Sequence, residues 1–136
     1  NIVGIKDTSG NIVQIAEIVR DTDEDFAVFA GNAGYLLPAL AVGARGATLA
    51  LANILPEDCC KLVALVKENK MDEALELQQK LIEINNFVTA KMGVSGLKHA
   101  LNKLGYKGGY PRRPLVELND DNKAALDNVI SKYMGN

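Results

Sequence analysis

Three short runs in the first half of the chain, Ile2 to Lys6, Phe26 to Ala30 and Ala47 to Ala52, are apolar at nearly every position instead of every second one. Strands with one wet face alternate apolar and polar residues, so near-continuous runs mark strands buried on both faces, as in a parallel sheet. Segments with apolar residues at helical spacing separate the runs. The order is βαβαβ, and helices must cover the sheet.

The first connecting helix is expected over Asn11 to Arg20, with Ile12, Ile15, Ile18 and Val19 on one stripe. A second, Ala33 to Val42, carries Leu36, Leu37, Leu40 and Ala41 and stops at Gly43, a residue suited to the left-handed position after a helix. Pro56, Glu57 and Asp58 open a third that reaches Glu68, since proline is tolerated in the first turn and acidic side chains favour that end of the dipole. Long helices follow, Met71 to Thr89 and Gly96 to Leu104, then a Gly/Pro-rich loop from Gly105 to Pro114 and a last helix from Asp120 to Met134. This reading divides the chain into βα units over residues 1–69 and a helical domain over 70–136.

Three βα units do not close a barrel, which takes eight strands and about 250 residues. The pattern fits either an open α/β sheet or part of a (β/α)8 barrel. A start on Asn1, with a strand-like run directly after it and no targeting segment, suggests a chain divided inside a larger fold.

A net charge of −2 with Lys and Arg scattered along the chain gives no basic face for nucleic acid or an anionic membrane. No apolar run approaches the roughly 20 residues of a membrane span. Cys59 and Cys60 are adjacent, a poor geometry for a mutual disulfide, and are read as small apolar residues of one helix in a reducing cytoplasm. No nucleotide fingerprint, phosphate loop or His/carboxylate cluster at metal spacing is present in the sequence, so no cofactor and no metal are expected.

Lys6 is the position with the most chemical content. It closes the run Ile2-Val3-Gly4-Ile5 and precedes the turn Asp7-Thr8-Ser9-Gly10, at the strand edge where α/β barrels carry their catalytic groups. An ordinary lysine titrates near ~10.4 and is protonated at neutral pH, so nucleophilicity requires burial or a neighbouring cation. The apolar strand end is expected to supply that burial. A neutral amine condenses with a ketone, and the resulting iminium draws electrons from the adjacent carbon without a metal. The competing assignment for Lys6 is an ion pair with Asp7 or another carboxylate.

The run NIVGIKDTSGN, Asn1 to Asn11, resembles the strand-six lysine motif of the dihydrodipicolinate synthase and N-acetylneuraminate lyase family. FAGNAGYLLPALAVGARGATLALANILPE, Phe29 to Glu57, is similar to that family's seventh strand, Gly turn, helix, eighth strand and Asn-containing loop. GLKHALNKLGY and PRRPL, between Gly96 and Leu115, resemble its C-terminal helical region. The resemblance implies a homo-oligomeric (β/α)8 class I aldolase acting on a 2-keto acid and an aldehyde, with Lys6 as the Schiff-base residue and the later helices appended to the barrel.

Within that resemblance, Thr8 is a candidate for holding a substrate hydroxyl, against an ordinary capping role; Ser9 has a weaker case. Gly31 and Asn32, with Ala33 and Gly34, fall where the family lines its pocket with backbone and substrate-specific side chains. Ala33 and Gly34 lack the acidic groups that a polyhydroxylated sialic acid would meet. Thr48 is expected in the third buried strand, bordering the lysine from across the barrel or packing in the core, and Asn53 is read mainly as a loop-locking residue. His99 is read as a packing or surface residue, and Arg112 and Arg113 as structural or inter-subunit.

GVSGLK, Gly93 to Lys98, lacks the Asn-Pro pair usual in dihydrodipicolinate synthases, and IKDTSG, AGNAG, ALAN, GLK and LGYKGG look more similar to the 4-hydroxy-2-oxoglutarate aldolase branch. That branch is the main expectation, with dihydrodipicolinate synthase as the alternative. The family's proton-relay Tyr and carboxylate-gripping hydroxyl pair come from earlier strands, so the chain alone is expected to be weak or inactive. A non-catalytic half-barrel module is the reading of a different class.

Overall fold

The computed structural model describes residues 1–135. Three parallel strands, β1 (Gly4–Asp7), β2 (Ala27–Ala30) and β3 (Gly46–Ala47), pair in sequence order, with Lys6 opposite Phe29 and Phe29 opposite Gly46. Helix α1 (Ile12–Asp21) connects β1 to β2, a 3₁₀ turn (Ala33–Tyr35) and α2 (Leu36–Ala41) connect β2 to β3, and α3 (Pro56–Lys67) follows a second 3₁₀ turn at Leu51–Asn53. Next come α4 (Met71–Asn86), a π-helical turn (Phe87–Lys91), α5 (Gly93–Lys103) and α6 (Asp120–Met134).

Local chemistry explains most of the boundaries. Asn11 accepts a hydrogen bond from Gln14 N and caps α1, and Asn119 caps α6 in the same way through Asn122 N. Helix α3 begins on Pro56 with Glu57 and Asp58 in its first turn, as expected. After α2, Gly43 takes φ +105°, and a Cβ there would lie 2.7 Å from Val19 Cγ1, so both the turn and the approach of α1 require glycine.

Three expectations need correction. The third strand, expected over Ala47 to Ala52, ends at Ala47: Thr48 N still bonds Ala30 O, after which Ala50 turns into helical backbone and Asn53 Nδ2 bonds Ala50 O at 2.9 Å, fixing a 3₁₀ turn. Thr48 is consequently exposed, beyond the end of the strand and outside the core. The second helix is split, because Asn32 caps a 3₁₀ turn before α2 begins. Finally, α4 gives way to a π-helical turn before Thr89, and α5 starts at Gly93 instead of Gly96.

The expected boundary between residues 69 and 70 lies in a turn where Asn69 takes φ 59°. The buried core nevertheless runs across it, from Ile15, Val28 and Leu36 through Leu62 to Leu81, Ile84 and Leu126. Gln78 of α4 adds a polar link, accepting from Leu37 N and donating to Ala33 O, both at 2.8 Å. The appended helices are thereby fastened to the turn that follows β2. Among the described residues, no helix is long and apolar enough to cross a membrane.

Candidate active site at the end of the first strand

Strand alternation decides what Lys6 can do, because neighbouring residues on a strand face opposite ways. Asp7 is buried and fully engaged: its Oδ1 accepts from Ser9 N at 2.8 Å and Ser9 Oγ at 2.6 Å, and its Oδ2 accepts from Gln14 Nε2 at 2.5 Å. The Ser9 hydroxyl is the main cause that holds the Asp7 carboxyl below its usual range, against the opposing effect of burial. Lys6 lies on the other face, and among the described residues it enters no ion pair. The pairing of Lys6 with Asp7 that sequence left open is therefore excluded.

The expected burial of Lys6 does not hold in this chain. Lys6 is exposed, and so are the residues meant to dry it: Ile2 at 78%, Val3 at 76% and Ile5 at 42%. The reason is topological, since β1 is an edge strand and, among the described residues, nothing pairs with its outer side.

The face that carries Lys6 also carries Phe29 and Gly46 through the register, and by alternation Thr8. Thr8 and Gly31 are in direct contact: a Cβ on Gly31 would fall 2.0 Å from Thr8 Oγ1 and 2.9 Å from Asp7 O, while Gly31 N donates to Asp7 O at 2.7 Å. Asn32 comes next, but its Oδ1 is occupied, accepting from Gly34 N and from Asn85 Nδ2, each at 2.8 Å. It shapes the turn as a cap. Thr48, two residues beyond Gly46 on the third strand's path, borders the same face from the far side, its backbone N donating to Ala30 O.

Residues missed in sequence complete the frame. Tyr35 Oη donates to Asp7 O at 3.0 Å, and Gln14 reaches back across seven residues to the same aspartate. Gln78 and Asn85 come from the helical region, and nothing local in α4 foretells that its amides meet a turn more than forty residues upstream. His99 accords with a packing role, its Nε2 lying 2.8 Å from Asp127 Oδ1 between α5 and α6. No group of three or more His, Cys, Asp or Glu among the described residues is arranged to hold a metal.

With this geometry established, similarity to known proteins identifies the frame. The model of the dihydrodipicolinate synthetase family matches residues 1–133. The chain belongs to this family. It is 37% identical over 134 residues to the 4-hydroxy-tetrahydrodipicolinate synthase of Methanosphaerula palustris, covering 98% of this chain and 46% of that protein. It is 33% identical over 133 residues to the enzyme of the same name from Thermoanaerobacter sp. strain X514, covering 98% of this chain and 45% of the other. The solved structure of a dihydrodipicolinate synthase from Thermus thermophilus, so named provisionally, superposes with a TM-score of 0.88 at 38% identity over 99% of this chain and 47% of its own.

The chain thus spans under half the length of the relatives it matches. Its α/β fold matches the C-terminal portion of the family's barrel, which resolves the choice between open sheet and barrel that sequence pattern left open. The relatives' names favour dihydrodipicolinate synthase, the alternative, over the 4-hydroxy-2-oxoglutarate aldolase branch set first on short motifs.

Proposed function

We propose that this chain supplies the Schiff-base half of a dihydrodipicolinate-synthase-type lyase, with the Lys6 amine condensing with the ketone of a pyruvate-type 2-keto acid. The observation that carries the reading is the separation of Lys6 from Asp7: the carboxylate is committed to Ser9 and Gln14, leaving the amine at the strand end without it. The Lys6 nitrogen adds to the keto carbon and water leaves, giving an iminium. Loss of a proton from the neighbouring carbon gives an enamine, which attacks an aldehyde; hydrolysis then returns the amine. Thr8 and the Gly31–Asn32 backbone border this position, with Thr48 on the far side of the face.

This reading takes the condensing direction from the names of the relatives and treats the working enzyme as a homo-oligomer. A retro-aldol reaction, cleavage of 4-hydroxy-2-oxoglutarate to pyruvate and glyoxylate, runs through the same iminium and is favoured by the segments IKDTSG, AGNAG, ALAN, GLK and LGYKGG and by the absence of proline in Gly93 to Lys98.

Borohydride trapping tests the shared step. A full-length enzyme carrying this sequence, incubated with pyruvate and borohydride, should gain a reduced adduct on the peptide containing Lys6, and Lys6→Ala should abolish both adduct and turnover. An active enzyme with no adduct at Lys6 would refute the mechanism. Product analysis with pyruvate and a panel of aldehydes then separates condensation from cleavage.

A further inference from the structure

Two buried amides on one face of α4 hold the turn after β2. Gln78 and Asn85 are seven residues apart, about two helical turns, and so share a face. Gln78 uses both ends of its amide, on Leu37 N and Ala33 O. Asn85 is only 5% exposed and uses one end: its Nδ2 donates to Asn32 Oδ1, while its Oδ1 is buried with no hydrogen-bond partner among the described residues.

A half-satisfied amide in a core is a poor choice for stability, since a buried acceptor without a partner loses its solvation. Leucine would fit a similar volume. Asn32 Oδ1 does not need Asn85 for satisfaction either, because Gly34 N already donates to it. What Asn85 adds is direction, because it fixes the Asn32 side chain next to Gly31, where a Cβ would collide with the Thr8 hydroxyl.

The backbone beside Asn85 is also unusual. The π-helical turn Phe87–Lys91 begins two residues later, and Thr89 Oγ1 donates to the Asn85 carbonyl at 2.6 Å. Such insertions in a helix recur at functional sites.

We infer that Asn85 is a positioning residue of the active site, by which the appended helical region sets the Asn32 turn and with it the fit of the substrate part distal to the keto group. This rests on the proposed aldolase reading for the role of the turn. It does not require Asn85 to touch substrate or to assist formation of the iminium on Lys6.

The test uses Asn85→Leu and Asn85→Asp in the full-length enzyme. Both remove the donor to Asn32; the second keeps the shape and carries the test if the first does not fold. The expected result is a pyruvate adduct on Lys6 at the wild-type level, KM for the aldehyde raised about tenfold with kcat within about twofold, and a melting temperature within a few degrees of wild type. Faster amide exchange at Gly34 should accompany it. Wild-type KM in the variants would overturn the inference, as would loss of adduct, kcat and thermal stability together, which marks plain unfolding. If the wild type itself forms no adduct, the aldolase reading fails, and exchange at Gly34 alone decides whether Asn85 orders the turn: unchanged exchange overturns the inference.

Discussion

At the scale of single residues, the site depends on contacts too close for any substitute. Gly31 is the sharpest case, since alanine there would place its Cβ 2.0 Å from Thr8 Oγ1 with Asp7 O at 2.9 Å on another side. Neither the strand-end carbonyl nor the β-branched side chain can retreat far. Gly31→Ala should therefore cost about 1–3 kcal/mol in thermal or denaturant unfolding and lower turnover more than a surface Gly→Ala change.

Asp7 gives a pH prediction. Its carboxyl is held below the usual range by Ser9, so the folded state binds this proton less readily than the unfolded chain does. The contribution is present above the unfolded value near ~3.9 and is lost as pH falls through the lower folded value. Asp7→Asn should therefore show its largest loss of melting temperature at neutral pH, and the gap to wild type should narrow below about pH 4. A pH-independent gap would show that the Ser9 and Gln14 hydrogen bonds matter without the charge.

At the scale of elements, the amide bridge from α4 to the β2–α2 turn carries a stability prediction distinct from that of Asn85. Gln78 is buried and satisfies two backbone groups, so Gln78→Leu leaves Leu37 N and Ala33 O without this partner and should cost about 2–4 kcal/mol in denaturant unfolding. On α3 the adjacent cysteines should behave oppositely. Cys59 is buried and burial pushes its thiol up to about 11, while Cys60 is exposed, so a maleimide at pH 8 should label Cys60 and spare Cys59.

These elements also show what the sequence could reveal. The parallel strand order, α1, α3 and α6 were legible because each is written locally, in apolar runs, in helical stripes and in Pro56 with its acidic neighbours. The early end of β3 was not, since ATLALA suits a strand, and the turn that ends it is held by backbone bonds from Asn53 N to Ala50 O and Ile54 N to Leu51 O together with the Asn53 side chain on Ala50 O. The place of Lys6 near the end of the first strand, with Thr8 just after it, was legible in the run itself. The exposure of Lys6 was not, because it depends on whether another strand lies beside β1, which no residue of the run encodes. Gln78 and Asn85 were hidden because an amide on a helix signals nothing until its distant partner is known.

At the scale of the whole molecule, three parallel strands leave two open edges. Beyond β1 stand the exposed side chains of Ile2, Val3 and Ile5; beyond β3 lies an apolar groove of about 400 Å³ lined by Leu36, Ala47, Leu49, Ala52, Cys60 and Val63. Unpaired strand edges with apolar side chains invite pairing with other chains. The 136-residue chain on its own should therefore self-associate as its concentration rises in sedimentation velocity. Val3→Lys should shift it toward monomer: the substitution keeps the Val3 carbonyl that accepts from Ala27 N and places a charge where another strand would pack. Trapping should follow the same logic, because the Lys6 amine on an open edge is exposed to water instead of enclosed in a pocket that would hold the keto acid against it. The isolated chain should give little borohydride adduct with pyruvate, and a longer chain whose added strands cover β1 should give it at Lys6. A monomeric isolated chain that traps pyruvate as well as the longer protein would show that neither edge needs covering for the chemistry.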